Sequence, residues 1–100
     1  MVRKLNTEHI DAVYKAASDN RLESVLIYKN RQGRNRGNYM VDYKTSNDIL
    51  PGYIDSALHD VFKSQLLELK SAVIAGTLTD VDISYVVIAK RMKVKIRTKE

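Results

Sequence analysis

One short polar segment, residues 30–37, carries the residue types best suited to binding phosphate. It contains Arg31, Arg34 and Arg36 together with two glycines. Arginine binds phosphate through two parallel hydrogen bonds, and its planar guanidinium stacks on nucleobases. Glycines let a loop fit a groove, and Asn and Gln bond to phosphates or base edges. The segment predicts a nucleic-acid contact, with irregular RNA slightly favoured over DNA. The alternative is a mobile surface loop whose arginines contact only water.

A second basic stripe lies near the end of the sequence, where apolar and basic residues alternate. This period of two predicts a strand. The residues expected to face the core are Met92, Val94 and Ile96. The residues expected to face outward are Lys93, Lys95 and Arg97. The outward residues would extend over about 13 Å of one sheet face and could follow a phosphate backbone. Lysines on an edge strand also prevent sheet-to-sheet aggregation, and the two interpretations are compatible.

The net charge of +5 is unevenly distributed along the chain. Residues 29–44 sum to +4 and residues 90–100 to +5, whereas residues 45–89 sum to −4. Clustered like charges repel one another, and an anionic partner relieves that repulsion. A solvated basic surface is the alternative. The predicted nucleic-acid contacts are Lys29, Arg31, Arg34, Arg36, Lys44, Lys90, Arg91, Lys93, Lys95 and Arg97.

Tyrosine dominates the aromatic residues, with six Tyr, one Phe and no Trp. Tyr28 and Tyr39 flank the arginine segment, and a tyrosine beside basic groups can stack on a base. Both are therefore candidate stacking residues. Tyr39 and Tyr43 share a predicted strand face with Val41, which instead favours a place in the core or an interface.

The residues that could support catalysis are few. His9 and His59 lie on predicted helices without a nucleophile motif or a metal-ligand spacing nearby. Asp80 and Asp82 share one strand face and could hold a cation, but pairing with the basic terminal strand is the simpler explanation. The sequence contains no cysteine. We therefore expect a non-enzymatic protein with no catalytic residue, no bound metal and no cofactor.

Hydrophobic periodicity predicts the elements that must position these residues. Helices are expected at residues 7–18 and 52–75, and strands at 24–29, 38–44, 81–88 and 92–97. Asn6 should cap the first helix, with Leu5 and Ile10 packing across the cap, and Pro51 should precede the second. The predicted fold is α+β, one domain over residues 1–100 in the order α-β-β-α-β-β. Its mostly antiparallel four-stranded sheet would pack on one long helix.

The second helix carries a long apolar stripe and would extend about 36 Å, more than short strands can cover. This predicts a homodimer. The second candidate function is a regulatory or inhibitor protein that binds another protein, for instance an acidic surface or the nucleic-acid channel of an enzyme. No apolar segment suits a secretory leader or a membrane span, so we expect no membrane partner and a cytosolic location.

Overall fold

The computed structural model describes residues 2–34, 36–50 and 56–99. Its elements are β1 (Val2–Lys4), α1 (Thr7–Ser18), β2 (Leu22–Lys29), β3 (Tyr39–Thr45), α2 (Ser56–Ala75), β4 (Leu78–Val86) and β5 (Arg91–Thr98). The strands form one sheet in the order β1-β3-β2-β4-β5, and every neighbouring pair is antiparallel. The α+β class is confirmed. The predicted four-stranded sheet packed on one long helix is corrected: the described residues form a sheet of five strands, and both helices pack on it.

The additional strand, β1, is only three residues long and carries two charged residues. Such a segment has no apolar alternation, so its sequence does not predict a strand. Its pairing with β3 forms the strand, with Val2 opposite Asp42 and Lys4 opposite Met40. The next backbone N–H, that of Leu5, donates to the Tyr39 carbonyl at 2.8 Å. β1 thus becomes one edge of the sheet, and β5 becomes the other.

Helix α1 has the predicted bounds, and its first turn is capped as expected. The Asn6 side chain accepts a hydrogen bond from the His9 backbone N–H at 2.9 Å. Leu5 and Ile10 are both buried in the same apolar cluster. After the helix, Asn20 adopts a φ of 56°, a left-handed conformation that asparagine tolerates better than most residues.

Helix α2 packs on the sheet through Phe62, Leu66 and Leu69, which are fully buried. The Phe62 ring stacks on Tyr85 of β4, with ring centroids 4.5 Å apart. The helix is followed by Gly76, whose φ of 70° suits a glycine at this position. The predicted start after Pro51 lies outside the described residues. Three apolar residues of α2 are exposed, namely Val61, Leu67 and Ile74.

Both helices cover the same face of the sheet. Alternate strand residues point into this covered face and are buried there, namely Val25, Ile27, Val41, Val81, Ile83 and Tyr85. Met92, Val94 and Ile96 pack against the same core, which confirms the inward half of the predicted alternation in β5. Neither α1 nor the described part of α2 is long and apolar enough to cross a membrane. Neither of the two described helices lies on the opposite face of the sheet.

Candidate nucleic-acid interface

We call the face of the sheet opposite the helices the open face. Strand register identifies the residues that point to it. Residues directly opposite each other in an antiparallel pair point to the same side. The open face therefore consists of Val2 and Lys4 on β1; Met40, Asp42 and Lys44 on β3; Ser24, Leu26 and Tyr28 on β2; Asp80, Asp82, Ser84 and Val86 on β4; and Arg91, Lys93, Lys95 and Arg97 on β5. This set contains the whole basic stripe of the terminal strand.

Basic residues outnumber acidic residues on the open face. The basic residues are Lys4, Lys44, Arg91, Lys93, Lys95 and Arg97, and the acidic ones are Asp42, Asp80 and Asp82. Lys93 reaches diagonally to Asp82, with 2.9 Å between Nζ and the carboxylate oxygen. Lys95 and Arg97 form no salt bridge with any residue that the structure describes. The face therefore keeps positive charge that an anionic ligand can reach.

The arginine segment forms a closed loop between β2 and β3. The backbone N–H of Asn30 donates to the Asn38 carbonyl at 2.7 Å, and that of Gly37 donates back to the Asn30 carbonyl at 2.7 Å. Gly37 has a φ of 89°, which strongly favours glycine. Arg34 and Arg36 are exposed on this loop. Asn35 lies outside the described residues. The loop thus presents its arginines from a base fixed by backbone hydrogen bonds.

Arg31 connects the loop to the far half of the sheet. Its guanidinium donates to the Asp80 carboxylate at 2.9 Å. Partial burial by itself would raise the pKa of Asp80, but Arg31, the Val81 backbone N–H and Lys95 together hold this pKa below its usual value. Asp80 lies directly opposite Arg97 in the β4–β5 pairing. The two basic segments therefore meet at one end of the open face.

We call this group the basic end: Arg31, Arg34, Arg36, Lys95 and Arg97. The sequence does not determine whether its two segments lie on the same side of the fold, because that depends on strand order. Placing β2 between β3 and β4 brings the loop after β2 next to the start of β4, and hence next to the end of β5. Contacts 49 residues apart, such as Arg31 with Asp80, follow from this topology.

Two predicted contact residues, Lys29 and Tyr39, point towards the covered face instead. The Tyr39 hydroxyl donates to the Leu78 carbonyl at 2.7 Å, and the ring packs against the core. Lys29 Nζ lies 5.8 Å from the centre of that ring and donates to the Thr79 carbonyl at 3.2 Å. The geometry supports the packing interpretation of Tyr39 over base stacking. Tyr28, by contrast, lies on the open face between Met40 and Asp82.

The remaining predicted contacts lie at the opposite end of the open face. Lys44 and Arg91 occupy one row across the sheet, separated by Ser24 of β2 and Val86 of β4. Lys90 lies in the turn before β5, exposed and with a φ of 52°. Lys44 and Arg91 share the open face with Lys93 but are distant from the arginine loop. Lys4 was not predicted as a contact, because its place on the open face depends on the unpredicted strand β1.

The two histidines lie on different helices, His9 on α1 and His59 on α2. His9 Nδ1 lies 3.0 Å from the Lys4 carbonyl. His59 Nδ1 is buried and has no hydrogen-bond partner among the described residues. Burial and, to a lesser extent, Lys63 lower the His59 pKa, and Asp60 opposes them. Within residues 2–34, 36–50 and 56–99, no three His, Cys, Asp or Glu side chains are grouped as a metal site would require.

The two aspartates considered as a cation site pair with basic side chains instead. Asp82 pairs with Lys93 of the terminal strand, as expected. Asp80 pairs with Arg31 of the loop, which the sequence did not predict.

The chain shows no significant match to a protein-family model, to a curated protein or to a solved structure.

Proposed function

We propose that this protein is a non-enzymatic nucleic-acid-binding protein, with RNA slightly favoured over DNA, that contacts phosphates through the basic end of its open face. The main support is the meeting of two basic segments that are far apart in the sequence. The Arg31–Asp80 contact and the register of Asp80 with Arg97 bring them together. Such a concentration of positive charge attracts a polyanion.

The arrangement suits phosphate better than an isolated carboxylate. Lys93, Lys95 and Arg97 are spaced two residues apart along an edge strand, so successive charges repeat about every 7 Å. Arg34 and Arg36 extend the charge beyond the end of the sheet. A ligand with regularly repeated negative charges can neutralise several of these groups together, and each neutralised phosphate releases counterions.

Binding of labelled oligonucleotides, measured by fluorescence anisotropy over a salt series, tests this proposal. Single- and double-stranded RNA and DNA should be compared. We expect affinity to fall steeply between about 50 and 200 mM salt, with a log–log slope of about −0.7 to −0.9 per phosphate contact. The double variant Arg34→Ala/Arg36→Ala should weaken binding without unfolding the domain. The matched control, Lys15→Ala/Lys63→Ala, removes the same charge from the helices and should bind like the wild type.

An acidic protein surface is the second candidate ligand, because it would use the same positive charges. If none of the four oligonucleotides binds, or all bind equally and only at low salt, nucleic acid is excluded as the ligand. A pull-down that recovers one stoichiometric protein, and loses it when Arg34 and Arg36 are replaced, would then favour the regulatory or inhibitor role.

The homodimer expected from the length of α2 is a separate proposal. It is supported by the apolar residues Leu67 and Ile74, which α2 exposes on its outward side. Light scattering at micromolar concentration should give twice the chain mass of 11.4 kDa. A species of the chain mass would exclude the dimer and leave the proposed ligand unaffected.

A further inference from the structure

We propose that Tyr28 is a stacking platform for a base of a single-stranded nucleic acid that lies across the open face. This inference deepens the proposed function and depends on it. It assigns the ligand class as single-stranded rather than duplex. It also distinguishes the residue that contacts a base from the residues that contact phosphates.

Tyr28 differs in position from the other tyrosines of the described chain. Tyr14, Tyr39 and Tyr43 pack against the core from partly buried positions, and Tyr85 is itself a core residue stacked on Phe62. Tyr28 belongs to none of these contacts and is half-buried on the open face. Its hydroxyl has no hydrogen bond to any described residue, whereas that of Tyr39 is bonded to the Leu78 carbonyl. Core packing and hydrogen bonding therefore do not account for this ring.

Apolar side chains lie next to Tyr28 on the open face. Met40 is its direct cross-strand partner on β3, and Leu26 precedes it by two residues on the same face of β2. Leu26 is 42% exposed, an unusual exposure for a leucine on a central strand. A base stacked on the Tyr28 ring would cover this apolar surface, and stacking tolerates any base because every base has a π face.

Positive charge lies at the distance from Tyr28 that a nucleotide chain requires. Lys95 is in the same row across the sheet, two strands from Tyr28 and so about 10 Å away. Asp82 lies between them, and Lys93 offsets its charge at 2.9 Å. From Lys95, the positive charge continues along β5 to Arg97. Arg31 of the loop lies next to Asp80, the cross-strand partner of Arg97. A chain with its base on Tyr28 therefore has phosphate partners along one side.

The shape of this surface favours a single strand over a duplex. Stacking on Tyr28 needs an uncovered base face, and in a duplex the faces are covered by neighbouring base pairs. A sheet five strands wide, about 19 Å across, is also too broad to enter a groove of about 12 Å or less. Unpaired bases can be splayed out onto such a surface and stacked on aromatic side chains.

The test measures binding of a fluorescein-labelled homopolymeric oligonucleotide, single-stranded and as the matching duplex, to the full chain and two variants. Tyr28→Leu removes the ring but keeps an apolar side chain, and Tyr28→Phe keeps the ring. We expect the Leu variant to bind the single strand about tenfold more weakly and the Phe variant to bind within about twofold of the wild type. The wild type should prefer the single strand to the duplex.

A second measurement uses the unmodified protein, so it does not depend on the folding of a variant. An iodouracil-substituted single strand is photocrosslinked to the wild type, and the modified peptide is identified by mass spectrometry. We expect the crosslink at Tyr28. Three results would each overturn the inference: equal affinity for single strand and duplex, wild-type binding by Tyr28→Leu, or a crosslink confined to the loop. Weaker binding by Arg34→Ala/Arg36→Ala in the same experiments would leave the proposed function intact. Binding of no oligonucleotide would overturn the proposed function and this inference together.

Discussion

The two faces of the sheet differ in what surrounds them and in the charge they carry. The covered face holds the core, with Ile27, Val41 and Ile83 fully buried beneath the helices. The open face leaves Leu26 and Val2 about half exposed. The two helices carry three basic residues (Lys15, Lys63, Lys70) against four acidic ones (Glu8, Asp11, Asp60, Glu68). The open face carries six basic residues against three acidic ones.

This difference implies that different residues determine the stability of the fold and its proposed function. Both helices pack on one side, so the free energy of unfolding depends mainly on the covered face. The open face does not pack against α1 or α2, and an antiparallel sheet tolerates a solvated face. Replacing side chains there should change binding far more than stability.

The largest expected effect on stability comes from Phe62 on the covered face. Phe62→Ala removes a fully buried ring that stacks on Tyr85, and should lower the free energy of unfolding by about 3–5 kcal/mol. Chemical denaturation followed by circular dichroism measures this change. Leu26→Ala on the open face is the comparison, and we expect it to cost less than about 1 kcal/mol. Similar losses of stability at the two positions would contradict the claim that the free energy of unfolding depends mainly on the covered face.

The largest expected effect on binding comes from reversing charge on β5. Lys95→Glu/Arg97→Glu changes the charge of the basic end by four units, at the two β5 residues that form no salt bridge with a described residue. We expect loss of measurable oligonucleotide binding at physiological salt and an unchanged circular dichroism spectrum. Lys15→Glu/Lys63→Glu applies the same charge change to the helices and is the control. Comparable losses in both variants would indicate that only net charge matters.

A smaller effect is expected from His59, whose pKa is lowered chiefly by burial. The folded state favours the neutral imidazole, so the unfolded state takes up a proton first as the pH falls below about 6.5. The free energy of unfolding should therefore decrease from about pH 6.5 downward until the pH passes the folded pKa. His59→Gln should lose this component, as measured by denaturation at a series of pH values. An identical pH dependence in both proteins would refute this account of His59.

The smallest expected effect comes from Asp80→Asn, which releases Arg31 from its exposed salt bridge. Stability should change little, because such pairs contribute little in water. Oligonucleotide affinity should rise modestly, since the substitution removes a negative charge next to the basic end. A weaker affinity would show instead that Asp80 is needed to position Arg31. Anisotropy titrations of the variant and the wild type at matched salt distinguish the two results.

The local features of the fold could be predicted from the sequence, because they depend on neighbouring residues. The bounds of α1, its Asn6 cap and the alternation of β5 are of this kind. β4 is less well predicted, beginning at Leu78 rather than 81, with an irregular register between Leu78 and Asp80. β1 was missed because its pairing with β3, not its own sequence, makes it a strand.

The arrangement of the site depends on contacts that no local pattern contains. In β2, both alternating sets include apolar residues, Val25 with Ile27 and Leu26 with Tyr28, so the sequence does not say which set faces the core. The opposite orientations of Tyr28 and Tyr39 follow only from the register of the hairpin. The Arg31–Asp80 pair likewise requires the strand order.

The most direct test of the central claim is to map ligand contacts residue by residue. Amide chemical shifts of the isotope-labelled protein should be followed by NMR during titration with a single-stranded oligonucleotide. We predict that the shifts concentrate in the arginine loop, around Tyr28 on β2 and along β5, while α1 and α2 remain unchanged. Shifts concentrated on the helices, or no shifts at saturating oligonucleotide, would contradict the assignment of the open face as the binding surface.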